Sequence, residues 1–367
     1  MRRYGTLDNA LMAAGGRPSG FDYMRLILAV SVLCSHSVSS SYGHAAAEAL
    51  WDSPARPFLR AILPMFFALS GFLVAGSMAR CHSLVKFLGL RFIRIYPALT
   101  VEVLLSAILI GPFVTTVPLA DYFASDVFAQ YLVNVTGHIS FFLPGVFETN
   151  PVPRVVNGQL WTVPFELLCY IALTGLIVIG AKRFRVLIPL GSVAVVLAFI
   201  LREGHKAGGV PEEFYRALGG PLLVAAFLAG VTLYTYRDRI PYSFGLFLAA
   251  CVVSIVGLGV VPHGAYLGIF AVSYVTAYLG LTNFPKIRMI KHADYSYGIF
   301  LYGFVVQQLV VYALPSAREW YWNIAISLPL TAIIAAASWH WIEKPALALK
   351  WLLDSYERKF TRTPKAA

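Results

Sequence analysis

Ten apolar runs, each close to the length of a membrane-crossing helix, set the possible fold of this chain. An α-helix needs about 20 mainly apolar residues to cross the hydrocarbon core of a bilayer. Of the 367 residues, 58% are hydrophobic and only 13% are charged, well below the charge content of a soluble domain. The sequence therefore predicts an all-α fold, a polytopic membrane helix bundle of about ten transmembrane helices. The runs lie near residues 24–42, 61–79, 95–114, 159–180, 186–202, 218–236, 242–260, 264–282, 295–313 and 321–342.

The basic residues predict the orientation of these helices. With the N-terminus in the cytoplasm, most of the 29 lysines and arginines fall on the cytoplasmic side, as the positive-inside rule requires. We therefore expect both termini in the cytoplasm, and the net charge of +11 does not call for a nucleic-acid partner. The start of the chain imitates a signal peptide, but cleavage after Ala47 would need a leader of about 47 residues, against the usual 15–30. We interpret the first run as an uncleaved span.

The connections between the runs divide the chain. Residues 1–23 form a predicted cytoplasmic arm, residues 24–344 a transmembrane domain, and residues 345–367 a basic cytoplasmic tail that we expect on the inner membrane surface. The extracytoplasmic loop 115–158 is long and polar, and loops of that length are usually functional or disordered. We expect it to fold over the outer mouth of the bundle. No internal repeat is evident, so sequence symmetry does not support an inverted-repeat transporter.

The first run carries ionisable side chains on one face. Arg25 and His36 are eleven residues apart, which is about three helical turns and roughly 16 Å of rise. Asp22 precedes Arg25 by one turn and is expected to pair with it. An ionisable group inside a membrane helix is costly, so it marks a functional site. The alternative is that a hydroxyl or carbonyl of a neighbouring helix satisfies His36.

A carboxylate is expected at the same depth as this histidine. Glu166 enters the fourth run from outside, and its predicted depth of about 20 Å above the inner face resembles that of His36. A carboxylate there can orient an imidazole that acts as a general base. Pro164 interrupts the helix near Trp161, which can free backbone groups to line a polar cavity. The alternative is a protonated Glu166 that is hydrogen-bonded between helices.

A basic group is predicted on the inner face. Arg91 and Arg94 are three residues apart in RFIRIYP, and together with Arg25 they can form a funnel for an anionic ligand. The guanidinium group suits phosphates. Binding of lipid head groups, with a role only in topology, is the alternative. Ser70 lies beside a glycine in the second run, where close helix packing is a more frequent role than nucleophilic catalysis.

Less specific polar groups also lie at the inner face. His340 with Glu343, and His292 with Asp294, can each simply end a span. Tyr297 lies beside such polar groups, at the inner end of its span, and is a candidate for contact with substrate. The four cysteines are far apart and show no metal-ligand spacing, so we expect no metal site.

Six short motifs occur in an order that resembles the membrane acyltransferase-3 family. This family comprises bacterial O-acyltransferases that modify surface polysaccharides, lipopolysaccharide and Nod factors. Each motif is weak alone, but six in the family's order form a strong resemblance that runs almost end to end. NGQLWTVPFE is most similar to the exopolysaccharide acetyltransferase branch. The motifs are FDYMRLILAVSVLCSH, PMFFALSGFL, RFIRIYP, NGQLWTVPFE, SYGIFLYG and WIEKP.

The resemblance implies an O-acyltransferase with a cytoplasmic acyl-CoA donor, acetyl-CoA by expectation, and a sugar hydroxyl as acceptor. It implies His36 as catalytic base or acyl relay, assisted by Glu166, with the arginines 25, 91 and 94 holding the donor. The expected location is the bacterial inner membrane, with polysaccharide-assembly proteins as possible partners and no bound cofactor. The remaining residues expected to support the site or contact substrate are Asp22, Ser70, Asn157, Trp161 and Tyr297.

Two departures and two alternatives accompany this interpretation. Many family members carry a histidine where this chain has Gly303, and we expect no C-terminal esterase-like domain after the membrane unit. The same ionisable residues (Arg25, His36 and Glu166) also suit a proton relay in a transporter or flippase of a small molecule or glycolipid. A lipid-binding scaffold is the third interpretation, and it predicts that loss of His36 changes little.

Overall fold

The computed structural model describes residues 5–205, 219–287, 291 and 293–361. Regular structure within these ranges is helical, and the only strand-like features there are three isolated β-bridges. The predicted all-α membrane helix bundle is therefore confirmed. The extreme ends of the predicted arm and tail, residues 1–4 and 362–367, lie outside the described residues, and so does His292.

Seventeen α-helices follow one another through the described ranges. They are α1 (Leu7–Ala13), α2 (Gly20–Tyr42), α3 (His44–Trp51), α4 (Arg56–Ala79), α5 (Leu84–Leu104), α6 (Gly111–Val114), α7 (Leu119–Ala124), α8 (Asp126–Leu132), α9 (Val163–Val178), α10 (Leu187–His205), α11 (Gly220–Thr235), α12 (Phe244–Gly259), α13 (Ala265–Gly280), α14 (Ser296–Ala313), α15 (Trp320–Ser338), α16 (Lys344–Ala348) and α17 (Lys350–Thr361). Several of these helices are N-capped by a hydroxyl side chain. For example, the Ser83 hydroxyl accepts a hydrogen bond from the Val85 amide at the start of α5.

Six helical stretches are long and apolar enough to cross a membrane. They are Gly20–Tyr42, Arg56–Ala79, Leu84–Val114, Gly158–Val178, Ser296–Ala313 and Trp320–Lys359. Helices α10 to α13 supply four shorter apolar stretches, and the ten together overlap the ten predicted spans. A helix of 16 residues rises about 24 Å, which is less than the ~30 Å hydrocarbon core. The count of ten crossings and the cytoplasmic termini therefore stay predictions.

Two of the long helical stretches contain a π-helical turn. One joins α5 to α6 across Leu105–Ile110, and the other joins α15 to α16 across Trp339–Glu343. A π turn widens the helix by one residue and is frequent at functional sites. The first follows Glu102 by one turn and the second ends on Glu343, so both distortions lie beside a buried carboxylate.

The chain divides into two compact units. The first unit comprises Met1–Ser31, Glu48–Gly76 and Phe165–His292, and the second comprises Val32–Ala47, Ser77–Pro164 and Ala293–Ala367. Helices α2, α4 and α9 each begin in one unit and end in the other.

Close backbone contact holds α4 against α11 in the first unit. A Cβ atom on Gly71 would lie 2.0 Å from the carbonyl oxygen of Phe227, and one on Gly230 would lie 2.0 Å from that of Ala68. Small residues allow this approach, as is usual between membrane helices. The close packing predicted beside Ser70 is confirmed at Gly71.

The connection 115–158 is ordered within the second unit and packs on α14. The Asn150 side-chain amide donates to the Gln308 carbonyl oxygen at 2.9 Å. In return, Gln308 Nε2 donates to the carbonyl oxygens of Val152 and Val155, at 2.9 and 2.7 Å. These bonds fix the end of the connection just before α9 begins. Its place over the outer mouth of the bundle stays a prediction.

Candidate active site

His36 lies on the part of α2 that belongs to the second unit. Its side chain is partly exposed, and its ring meets the ring of Phe304 on α14 edge-on, with the centroids 5.3 Å apart. Among the described residues, no hydrogen bond or ion pair involves the imidazole. A partly exposed imidazole without a protein partner can accept a proton from a bound hydroxyl.

Gly303 allows α14 to approach α2 next to this ring. A Cβ atom at residue 303 would lie 3.3 Å from Leu33 Cδ1, one turn before His36, and 3.5 Å from Gln159 Nε2. The resemblance leads one to expect a histidine here, and the structure shows that the neighbouring polar group is the Gln159 amide instead. Gln159 is 1% exposed, and its Oε1 accepts a hydrogen bond from the Phe304 amide at 3.3 Å.

A buried carboxylate that the sequence analysis missed ties the surrounding elements together. Glu102 on α5 is fully buried, and its Oε1 accepts hydrogen bonds from Asn157 Nδ2 at 2.8 Å and from the Ser106 hydroxyl at 2.9 Å. Asn157 Nδ2 also donates to the Leu301 carbonyl oxygen at 2.9 Å. Asn157, expected as a supporting residue, therefore joins α5 to α14. The available signal was a single glutamate inside an apolar run, the criterion already applied to His36.

Asn157 also starts the segment that carries Trp161 and leads into α9. Its Oδ1 accepts a hydrogen bond from the Gln159 amide at 3.3 Å, which caps the 3-10 turn Gly158–Thr162. Trp161 lies in this turn and is half-buried. The motif NGQLWTVPFE thus begins with a cap whose partners come from two other helices.

The two arginines of RFIRIYP have different surroundings, although both lie on α5. Arg94 forms ion pairs with Asp294 at 2.7 Å and with the buried Glu343 at 3.0 Å. Its guanidinium also lies 5.4 Å from the centre of the Tyr297 ring, whose hydroxyl donates to the Ile95 carbonyl oxygen at 3.2 Å. Two carboxylates offset the charge of Arg94, so this residue holds helix ends together.

Arg91, by contrast, contacts neutral groups. Its Nη2 donates to the Ser77 hydroxyl at 3.1 Å, and its guanidinium lies 5.9 Å from the centre of the Phe87 ring. Its buried Nε has no hydrogen-bond partner among the described residues. A guanidinium in such surroundings suits an anionic ligand better than one already paired with two carboxylates.

The remaining candidates lie in the first unit. Asp22 pairs with Arg25 at 3.6 Å, as predicted, and also with Lys286 at 2.6 Å. Glu166 accepts a hydrogen bond from the Tyr170 hydroxyl at 2.6 Å, one turn further along α9. Since Glu166 and His36 belong to different units, their expected pairing stays a prediction. Across the described residues, no cluster of three or more histidine, cysteine, aspartate or glutamate side chains could hold a metal ion.

Comparison with known proteins gives a family match and two relatives. The model of a family described as an acyltransferase domain matches residues 19–340. An O-acetyl transferase of Shigella phage Sf6 is 28% identical over 343 residues, which cover 88% of this chain and 94% of the relative. Nodulation protein 10 of Rhizobium leguminosarum bv. viciae is 25% identical over 360 residues, covering 92% and 95%. No solved structure matches significantly.

Proposed function

We propose, since this chain belongs to the acyltransferase-3 family and is a membrane O-acyltransferase, that it transfers an acetyl group from acetyl-CoA to a hydroxyl of a glycan. The phage relative, named an O-acetyl transferase, supports the acetyl group. The acceptor would be a surface or exported polysaccharide, oligosaccharide or glycolipid. The enzyme would work in the bacterial inner membrane with the donor on the cytoplasmic side, beside polysaccharide-assembly proteins.

His36 carries this proposal, because it is a partly exposed imidazole on a membrane helix without a protein hydrogen-bond partner among the described residues. An imidazole nitrogen would take the proton of the sugar hydroxyl while the hydroxyl oxygen attacks the thioester carbonyl carbon. The carbon–sulfur bond then breaks, and the thiolate of CoA leaves with the proton from the imidazolium. General base catalysis of this kind contributes about 10²- to 10⁴-fold. Direct attack by the imidazole, with a covalent acyl relay, is the variant of the same proposal.

Arg91 is the best-supported contact for the donor. Its contacts are neutral, so its charge is available to the phosphates of CoA. Arg94 would shape the donor entrance by fixing Asp294 and Glu343. Arg25, held by Asp22, would add positive charge on the donor side. Glu166 would assist His36 by balancing the imidazolium charge.

The supporting residues would act around these groups. Asn157 and Trp161 would shape the segment that enters α9, and Tyr297 would stack on Arg94. Ser70 lies beside the tight contact at Gly71 and would support the fold of the first unit.

The test is transfer from labelled acetyl-CoA in membranes that contain the wild type, His36→Ala or the control His44→Ala, with an extract of host glycans as acceptor. His44 is exposed, so its loss should leave transfer unchanged. His36→Ala should lower transfer at least about 100-fold while the protein stays inserted. Near-normal transfer by His36→Ala would show that His36 is neither the catalytic base nor an acyl relay. Proton-driven flux of a solute without an acylated product would point to a transporter.

A further inference from the structure

Gln159 carries a hydrogen-bond donor that the fold leaves unused. Its Oε1 accepts from the Phe304 amide at 3.3 Å, so the orientation of the side-chain amide is fixed and Nε2 is the donor end. Nε2 is fully buried and has no hydrogen-bond partner among the described residues. A buried N–H without a partner costs free energy, so it is expected where a ligand completes the bond.

Gln159 and the proposed base contact the same residue, Phe304. Gln159 bonds the backbone amide of Phe304, while the ring of the same residue meets the His36 ring at 5.3 Å. Gly303, which precedes Phe304, has no side chain, and its Cβ position is 3.5 Å from Nε2. Gly158, which precedes Gln159, also lies close to Phe304, with its Cβ position 3.2 Å from the ring. The proton acceptor and the unused donor are therefore arranged around one residue within the second unit.

We propose that Gln159 is a further catalytic residue, whose Nε2–H donates a hydrogen bond to the acyl carbonyl oxygen as that oxygen becomes negatively charged. This inference rests on the proposed acyl transfer. When the hydroxyl oxygen bonds to the carbonyl carbon, its proton goes to His36 and the carbonyl π electrons move onto the oxygen that Gln159 contacts. The C=O bond then re-forms, the carbon–sulfur bond breaks, and the thiolate takes the proton from the imidazolium.

The donor is held in place before any substrate binds. Asn157 Oδ1 accepts from the backbone amide of Gln159, and Asn157 itself is bound to Glu102 and to the Leu301 carbonyl oxygen. Both the backbone and the side-chain oxygen of Gln159 thus have fixed partners. A donor that needs no reorganisation stabilises a developing oxyanion most effectively, and loss of one such donor typically lowers kcat about 10²- to 10³-fold.

A second buried glutamine of the second unit leaves an acceptor, not a donor, without a partner among the described residues. Gln307 is fully buried, and its Nε2 donates to the Leu33 carbonyl oxygen at 2.9 Å. The atom without a partner among the described residues is its Oε1, which is an acceptor. An acceptor would repel an oxyanion, so this role falls to Gln159.

Three variants test the proposal in purified enzyme. Gln159→Met keeps the length of the side chain and removes the donor. Gln159→Asn keeps an amide on a shorter side chain. Gln308→Met is the matched control, because Gln308 is an equally buried glutamine on α14 whose amide nitrogen and oxygen both have protein partners.

Each variant is assayed with acetyl-CoA and with its dithioester analogue, in which sulfur replaces the carbonyl oxygen and accepts hydrogen bonds poorly. For Gln159→Met we expect kcat with acetyl-CoA to fall about 100-fold or more, with KM changed less than about threefold. The preference for the oxygen substrate should shrink in Gln159→Met and persist in Gln308→Met. Damage to the fold alone would slow both substrates equally.

The outcomes separate this inference from the proposed function. An unchanged kcat for Gln159→Met, or an equal loss with both substrates, overturns the role of Gln159 while transfer by the wild type and its loss in His36→Ala still stand. Absence of transfer by the wild type overturns the acyltransfer proposal, and this inference with it. If Gln159→Met does not accumulate, Gln159→Asn decides by the same ratio of the two substrates.

Discussion

The two units bury different kinds of polar group. In the described part of the first unit, the buried polar side chains are hydroxyls, and three of them bond a carbonyl of their own helix: Ser254, Ser273 and Thr276. In the second unit, carboxylates and amides are buried, and most of their partners come from other elements. They are Glu102, Asn134, Asn150, Asn157, Gln159, Gln307, Gln308, Asn323, Glu343 and Glu357.

This difference shows how each unit is specified. A hydroxyl that bonds its own helix constrains no neighbour, so in the described part of the first unit only Ser19 and Ser192 tie segments together through a buried hydroxyl, by bonding the carbonyl oxygens of Phe284 and Ala225. Shape and close contacts such as that at Gly71 therefore contribute more there. A buried carboxylate or amide is costly until another element supplies its partner, so such groups fix which helices meet. The second unit therefore holds both the proposed base and the groups able to position it.

The largest expected effect comes from breaking the shape-based contact. Gly71→Leu places side-chain atoms where the Phe227 carbonyl lies, and backbone cannot yield as a side chain can. We expect destabilisation beyond about 3 kcal/mol, hence little folded protein. Gly175→Ala is the control, because nothing lies within 4 Å of its Cβ position. Thermal unfolding in detergent measures both, and equal midpoints for the two variants would show that shape does not govern the first unit.

The next largest effect is expected from replacing the two arginines of α5, which should differ in their consequences for stability and for donor binding. Arg94→Ala leaves the buried Glu343 without its ion pair, and we expect a loss of about 2–3 kcal/mol in the free energy of unfolding. Arg91→Ala removes a guanidinium with neutral partners, so stability should change less while KM for acetyl-CoA rises. Thermal unfolding and donor titration of both variants are the measurements. A raised KM in Arg94→Ala alone would reverse the proposed division of roles.

The number of apolar helices and the residues near their centres follow from the sequence, because hydropathy depends on the residues themselves. The residues at which the helices begin are harder to predict from the sequence. The third span was predicted from residue 95, yet α5 begins at Leu84, since the Ser83 hydroxyl caps it and the basic residues between find partners. Apolar runs alone do not contain that information.

The site residues likewise divide into those that the sequence predicts and those that it does not. His36, Arg91 and Arg94 stand out as charged or titratable groups in named motifs, and the Asp22–Arg25 pair follows from helical spacing. Glu102 was overlooked although it is a lone glutamate in an apolar run, but its pairing with Asn157, 55 residues away, has no local signal. The amide orientation of Gln159 depends on Phe304, 145 residues away. Contacts between distant segments decide these roles, and a single sequence does not encode them in any local pattern.

A smaller effect should follow from removing the polar cap of the second unit. Asn157→Ala takes one donor from Glu102 and the acceptor from the Gln159 amide. We expect about 1–2 kcal/mol lower stability and a fall in kcat, because Gln159 loses its fixed backbone. Asn157→Asp is the comparison, since it keeps the cap acceptor but sets a carboxylate against Glu102. An unchanged kcat in Asn157→Ala would show that the Asn157 cap does not contribute to catalysis.

The smallest effect tests whether every buried carboxylate of the second unit matters to the chemistry. Glu357 on α17 accepts hydrogen bonds from the backbone amides of His82 and Ser83, at 2.7 and 3.0 Å, and pairs with Lys86 at 2.7 Å. It thereby anchors the tail to the start of α5, far along the chain from the residues around His36. Glu357→Gln keeps an acceptor and loses the charge, so we expect about 1 kcal/mol or less of destabilisation and an unchanged kcat. Asp354→Asn, which alters only the more exposed contact with Lys86, is the control.

A fall in kcat in Glu357→Gln matching that in Gln159→Met would mean that the tail acts on the site through α5. A small change in melting temperature alone would place Glu357 with the structural contacts, and would leave the amides and the carboxylate around Asn157 as the polar groups coupled to acyl transfer.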